Sequence, residues 1–187
     1  MSQTIQPRTV SGTDQGKLDI RALVLLAILL AAGFILNFTV GKAISSVSGG
    51  LISPEFIISA FCLTILVVRP SLPQALVIGL ISAAVIQITT TSPFVDFAAE
   101  GVAAVLMAAL VKTGMNSKIK TFVPALGAFV TTVVSGLIFM AIRIAMIGAA
   151  QELVAAMLPV VCLTAVFNAI LVQALYLPIC KALKIEA

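Results

Sequence analysis

Three charged side chains stand inside long apolar stretches of this sequence: Asp96, Glu100 and Arg143. Arg143 falls about five positions before the end of an apolar run, roughly 7–8 Å below its terminus at the helical rise. An arginine facing lipid costs several kcal/mol unless it snorkels, so it should face the interior or find a partner. Its planar fork suits a two-pronged contact with a ligand carboxylate; a structural pair with Glu100 or Asp96 is the plainer alternative. Asp96 and Glu100 are four residues apart, which places them on one face of a helix. Together they suit an ammonium or ring nitrogen, and a carboxylate at this depth also suits proton coupling. Against this, Asp96 could simply sit at a helix terminus while Glu100 neutralises Arg143.

Uncharged polar residues extend the list. Asn168 lies near the middle of the last apolar run, where an amide must find an interhelical partner or a ligand. Gln87, Asn37 and Gln151 lie toward the same ends of their runs as the acids, with threonines at 89, 90 and 91 beside them. All are candidate pocket residues. Phe94 and Phe97 bracket Asp96 and offer stacking to a ring. Glu55 follows Pro54 at a helix start, where the helix dipole favours negative charge, and reads as a helix-terminus residue. Tyr176, the single tyrosine, reads as an interfacial anchor.

The missing chemistry narrows the function classes. The chain has no histidine and only seven acidic residues, which leaves hydrolytic or redox metal chemistry little to work with. Cys62, Cys162 and Cys180 form no CxxC pair and read as small buried hydrophobes, so neither a metal site nor a disulfide framework is expected. No GxxxxGK[ST] loop is present, so the chain should not bind ATP by that route. No catalytic residue and no cofactor is expected in this chain.

The elements that must position these residues follow from composition. Of 187 residues, 61% are hydrophobic and 10% charged, and the mean hydropathy is +1.22. A soluble domain carries roughly 25% charged residues, so most of this surface must face lipid, where a spanning helix needs about 20 apolar residues. Residues 1–16 are polar and form a tail; residues 17–187 form the membrane domain. The run from residue 20 is too long for a signal-peptide core and is expected to be retained. Six helices are expected, at about 20–40, 54–68, 73–90, 93–111, 122–147 and 153–177. A glycine- and serine-rich loop should cover 41–53. Pro159 should kink the last helix and Pro178 should end it.

Charge sets the orientation. With six spans, Arg8, Lys17, Arg21, Arg69, Lys112, Lys118, Lys120, Lys181 and Lys184 all fall on one side, and only Lys42 on the other. The positive-inside rule then makes both termini cytoplasmic. The net charge of +4 marks membrane orientation and no nucleic-acid surface. The fold class expected is an all-α membrane protein, a bundle of six transmembrane helices whose polar half faces outward.

Helix 1 carries Ala27-Ile-Leu-Leu-Ala31, an AxxxA segment that permits close helix approach. With the six-helix length, the charge pattern and the glycine-containing first outer loop, it makes residues 17–184 resemble the substrate-binding S component of an energy-coupling factor (ECF) transporter. The stretches Gly50-Leu-Ile-Ser-Pro-Glu55, Gln74-Ala-Leu-Val-Ile-Gly79-Leu and Thr89-Thr-Thr-Ser-Pro93 are similar to the small tryptophan-transporter branch. The likeness departs after Pro93, where Phe94-Val95-Asp96 replaces a glycine-rich continuation.

The resemblance implies uptake of a vitamin or other micronutrient across a prokaryotic plasma membrane. ATP would be used by two partner ATPases acting through a membrane coupling subunit, onto which Ala27 and Ala31 would dock. Substrate would come from outside to a pocket holding Asp96, Glu100, Arg143 and Gln151; by its own composition, loop 41–53 could serve as a lid, because its glycines permit such movement. Two other classes stay open: a self-sufficient small transporter, proton-coupled through Glu100, and a membrane enzyme or assembly factor.

Overall fold

The computed structural model describes residues 16, 18–50, 53–90, 92–148 and 150–185. Every regular element among them is helical. The first is α1 (Ile20–Leu36), capped by the Asp19 carboxylate, which accepts from the Ala22 N–H at 2.8 Å. It continues without a break through a π-helical turn, Asn37–Gly41, into α2 (Lys42–Val47). Most of the expected loop 41–53 is therefore helix, and the described turn is confined to Ser48, Gly49 and Gly50. Residues 43–47, Ala-Ile-Ser-Ser-Val, contain no glycine or proline, so the already nucleated helix propagates through them at little cost.

Next comes α3 (Phe56–Val68), followed by α4 (Leu72–Ile86), which Ser71 and Gln74 open with a capping box and which carries a proline in its first turn. Then follow α5 (Val95–Gly114), a 3₁₀ turn at Lys120–Phe122, α6 (Val123–Ile147) and α7 (Ala150–Leu183). Two expected boundaries move. Gly148, in the left-handed region at φ 79°, turns α6 into α7 within two residues, so Gln151 and Glu152 already lie in the first turn of α7. And α7 runs through both Pro159 and Pro178 to Leu183. A proline removes one backbone bond, whereas the turn beyond Pro178 is held by the buried Cys180 and by the Ile185 N–H donating to the Cys180 carbonyl at 3.0 Å.

The centre of the molecule is α3. All thirteen of its residues are buried, and it is packed against α1, α4, α5, α6 and α7. A helix apolar all round belongs inside a bundle. Its length of about 20 Å falls short of the roughly 30 Å of a hydrocarbon core, and α3 is covered by protein on every side. The outward faces belong to other helices: Val24, Ile28 and Ile35 of α1, and Val166 and Ile170 of α7, are exposed and apolar. Stretches Ile20–Val47, Lys120–Met146 and Val154–Leu183 are each long and apolar enough to cross a bilayer. The chain is thus an all-α, multi-pass membrane protein with at least three spanning helices.

Successive helices alternate in direction. The Gly16 N–H donates to the Val68 carbonyl at 2.8 Å, which places the start of α1 beside the end of α3. Gln173 of α7 holds the start of α6, accepting from Ala125 N–H at 3.1 Å and donating to the Thr121 carbonyl. Tyr176 is 4% exposed and part of the core, with its hydroxyl beside Arg69, so it is a core residue and not an exposed interfacial anchor. Cys62 and Cys180 are buried as expected, but Cys162 faces outward from α7.

Candidate functional site

The site lies at the end of the bundle opposite Gly16 and Arg69, and begins where α1 meets α3. In the π-helical turn the Asn37 side chain reaches across to the start of α3. Its Oδ1 accepts from the Phe56 backbone N–H at 2.9 Å, and its Nδ2 donates to Glu55 Oε2 at 3.5 Å. The first N–H groups of a helix have no partner within it; here another helix supplies one. A π turn rotates the side chains that follow it and recurs at functional sites. The Ser53 carbonyl accepts from Thr164 Oγ of α7 at 2.9 Å, which pins the other side of the same short segment. Glu55 makes no capping bond to α3. Glu55 stands at the N-cap of α3, the helix terminus expected for it, while Asn37 supplies the capping bond and the Glu55 carboxylate lines a cavity.

The turn from α4 to α5 is stapled by Gln87. Its Oε1 accepts from the Phe94 N–H at 3.0 Å and its Nε2 donates to Asp96 Oδ2 at 3.3 Å. Phe94 takes φ 69°, a left-handed conformation costly for an aromatic residue, and Gln87 holds it there. Its ring is exposed and stacks on Phe97 at 6.5 Å between centroids.

Asp96 and Glu100 follow on one face of α5, 6% and 4% exposed. The backbone of α5 approaches α4 closely at this level. A Cβ added to Gly79 would lie 2.6 Å from the Glu100 carbonyl oxygen, so only glycine fits. From α6, Ser135 Oγ donates to Glu100 Oε1 at 3.0 Å, while Glu100 Oε2 is buried without a partner. One turn away, Thr132 accepts from Asn168 Nδ2 of α7 at 3.2 Å. Asn168 is fully buried and stands behind the wall, and its Oδ1 has no partner either.

These residues surround a cavity of about 370 Å³. Its polar wall includes Asn37, Glu55, Asp96, Glu100, Thr132 and Ser135, with Ser53, Thr89, Thr90 and Thr164 at other points. Its apolar wall is Ile58 of α3, Ile86 of α4, Phe139 of α6, and Met157, Val160 and Val161 of α7. Among the described residues no lysine or arginine belongs to the wall. Among the described residues no group of acids and cysteines is arranged to hold a metal ion.

The sequence candidates are thus divided. Asn37, Asp96 and Glu100 reach the cavity, and Gln87 sits behind Asp96. Arg143 stays off the wall: its Nη1 donates to Ser92 Oγ, its guanidinium lies 5.9 Å from the centroid of the Phe139 ring, and its Nε is buried without a partner. It forms no ion pair with Asp96 or Glu100, because it is spent on the turn that precedes α5. Gln151 is exposed at the start of α7. Ala27 and Ala31 are exposed on α1, whose buried face is Ala22, Leu26, Leu30 and Gly33.

Wall residues that the sequence reading passed over are Ser53, Thr132, Ser135 and Thr164. Their signal was present as helical spacing: 132, 135 and 139 share one face of α6, and 157, 160, 161 and 164 share one face of α7. Compared with known proteins, the chain matches no family model, no curated protein and no solved structure, so what it is stands on its own fold and site: a small, all-helical, multi-pass membrane protein with an acid-lined cavity.

Proposed function

We propose that this protein is the substrate-binding S component of an ECF-type transporter, a subunit without ATPase activity that captures a vitamin or related micronutrient outside a prokaryotic cell. The sequence resemblance adds tryptophan to the candidates, although its carboxylate would meet no basic side chain among the described wall residues. The observation that carries this reading is the cavity: it is of ligand size, mixed in polarity, and confined to one end of the bundle. The basic residues Arg69, Lys112, Lys118 and Lys120 lie toward the other end. Alternating helices with both described ends of the chain at the basic end support six spans and cytoplasmic termini. Ala27 and Ala31 are unused by the chain's own packing, which supports their docking onto a coupling subunit served by two ATPases.

Reconstitution in liposomes tests the proposal. Uptake should require the coupling subunit, the ATPases and ATP; binding in detergent should require none of them. The second reading, a self-sufficient proton-coupled transporter, is favoured by one observation, the unpartnered Oε2 of Glu100 in the bundle interior. It requires uptake by the chain alone under a proton gradient, abolished in Glu100→Gln. That result would sink the first reading.

A further inference from the structure

We infer that the ligand of this cavity is an organic cation: a small amine, protonated at neutral pH, with an apolar body and no carboxylate. The inference rests on the cavity being the substrate site and goes on to name its substrate class.

Three carboxylates, of Glu55, Asp96 and Glu100, open on one space, and among the described residues no basic side chain lies on its wall. Asp96 is satisfied in part by Gln87 and Glu55 in part by Asn37. Glu100 is different. It is 96% buried (4% exposed), lines the cavity, and spends one oxygen on Ser135 while Oε2 has no partner at all. A buried acceptor without a donor is costly, and an ammonium group supplies both the donor and the opposite charge. The Ser135, Thr132 and Thr90 hydroxyls can accept the remaining N–H groups, since a hydroxyl has two acceptor lone pairs.

The rest of the wall fits the body of such a molecule. Ile58, Val160, Val161 and Met157 are apolar, and Phe139 presents a ring whose face attracts cations. An amino acid fits poorly. Its carboxylate would enter a space already holding three, without a guanidinium or ammonium to receive it, because Arg143 is engaged with Ser92 outside the wall. A bare metal ion fits poorly too, since the acids do not converge as a ligand set.

The test uses the full chain purified in detergent and calorimetric titration with pairs that differ by one carboxylate: phenethylamine against phenylalanine, and tryptamine against tryptophan. Thiamine, a permanent cation, and biotin, an anion, complete the panel. At least one cation should bind saturably, and a carboxylated partner should bind roughly tenfold more weakly or worse. Glu100→Gln should weaken the cation by about ten- to a hundredfold, and Glu55→Gln, at a more accessible position, by a smaller factor. If Glu100→Gln fails to fold, Glu55→Gln decides.

Equal or tighter binding of the carboxylated member would overturn the inference, as would cation binding indifferent to both variants. Binding of biotin or an amino acid with no cation bound would overturn it while leaving the receptor reading in place. Silence across the whole panel would remove the receptor reading and this inference together.

Discussion

One amide joins α1 to α3. Asn37 gives its oxygen to the Phe56 N–H and its nitrogen to Glu55, so Asn37→Ala removes a cap and a carboxylate partner at once. Loss of about 1–2 kcal/mol is expected, read as a lower melting temperature of the detergent-solubilised protein. Asn37→Asp keeps the acceptor for Phe56 but sets a second acid against Glu55. It should retain more stability than Asn37→Ala above neutral pH only if the cap outweighs the repulsion, and a side-by-side melt measures which is larger. Ser135→Ala strands both oxygens of Glu100 and should cost about 1–3 kcal/mol. Arg143→Ala should also lower the melting temperature, since it frees Ser92 and the turn before α5. Its effect on ligand affinity should be smaller than that of Glu100→Gln; a larger effect would show that the guanidinium reaches the ligand after all.

Among elements, the crossing of α4 and α5 is the least forgiving. Gly79→Ala places a methyl 2.6 Å from a backbone oxygen and 2.7 Å from Ala104 Cβ, neither of which can rotate away. A cost of about 1–3 kcal/mol is expected. Gly136→Ala meets both Val161 methyls, at 2.7 and 2.8 Å; no single rotamer clears both, but these are side-chain and not backbone atoms, so its melting temperature should fall less. The reverse order would mean that α6 and α7 are the more rigid pair. The helices themselves were largely legible in the sequence. Apolar runs bounded by Arg69–Ser71 and by Ser92–Pro93 located α3, α4 and α5, because turn residues and missing apolar periodicity act locally. The misjudged boundaries were at Pro178, where the helix runs on past a local breaker, and across residues 42–47, where α1 propagates through the π turn into α2.

For the whole molecule, six spans predict that Gly50 and Lys118 lie on opposite sides of the membrane. Both are exposed. Single cysteines placed there, in a background with the exposed Cys162 replaced by alanine, should react with an impermeant thiol reagent from the outside for Gly50→Cys and only after permeabilisation for Lys118→Cys. Labelling of both from one side would exclude the three spans, α3, α4 and α5, that six helices place between them.

Composition alone made this a membrane protein, because hydrophobic transfer is additive and needs no knowledge of which residues touch. Charge asymmetry and helix spacing likewise put Asp96 and Glu100 on one face at one end, since both are sums or periods along the chain. Pairing is a property of three dimensions. Which acid faces the cavity, which is capped, and whether an arginine answers a carboxylate depend on rotations of neighbouring helices that no single run encodes. Only the tertiary structure brought the carboxylate of Glu55, at its helix terminus, into the wall, joined Ser135 to Glu100, and turned Arg143 aside to Ser92. Successive residues of a helix point about 100° apart, so the face each one presents to its neighbours is set only when the helices pack.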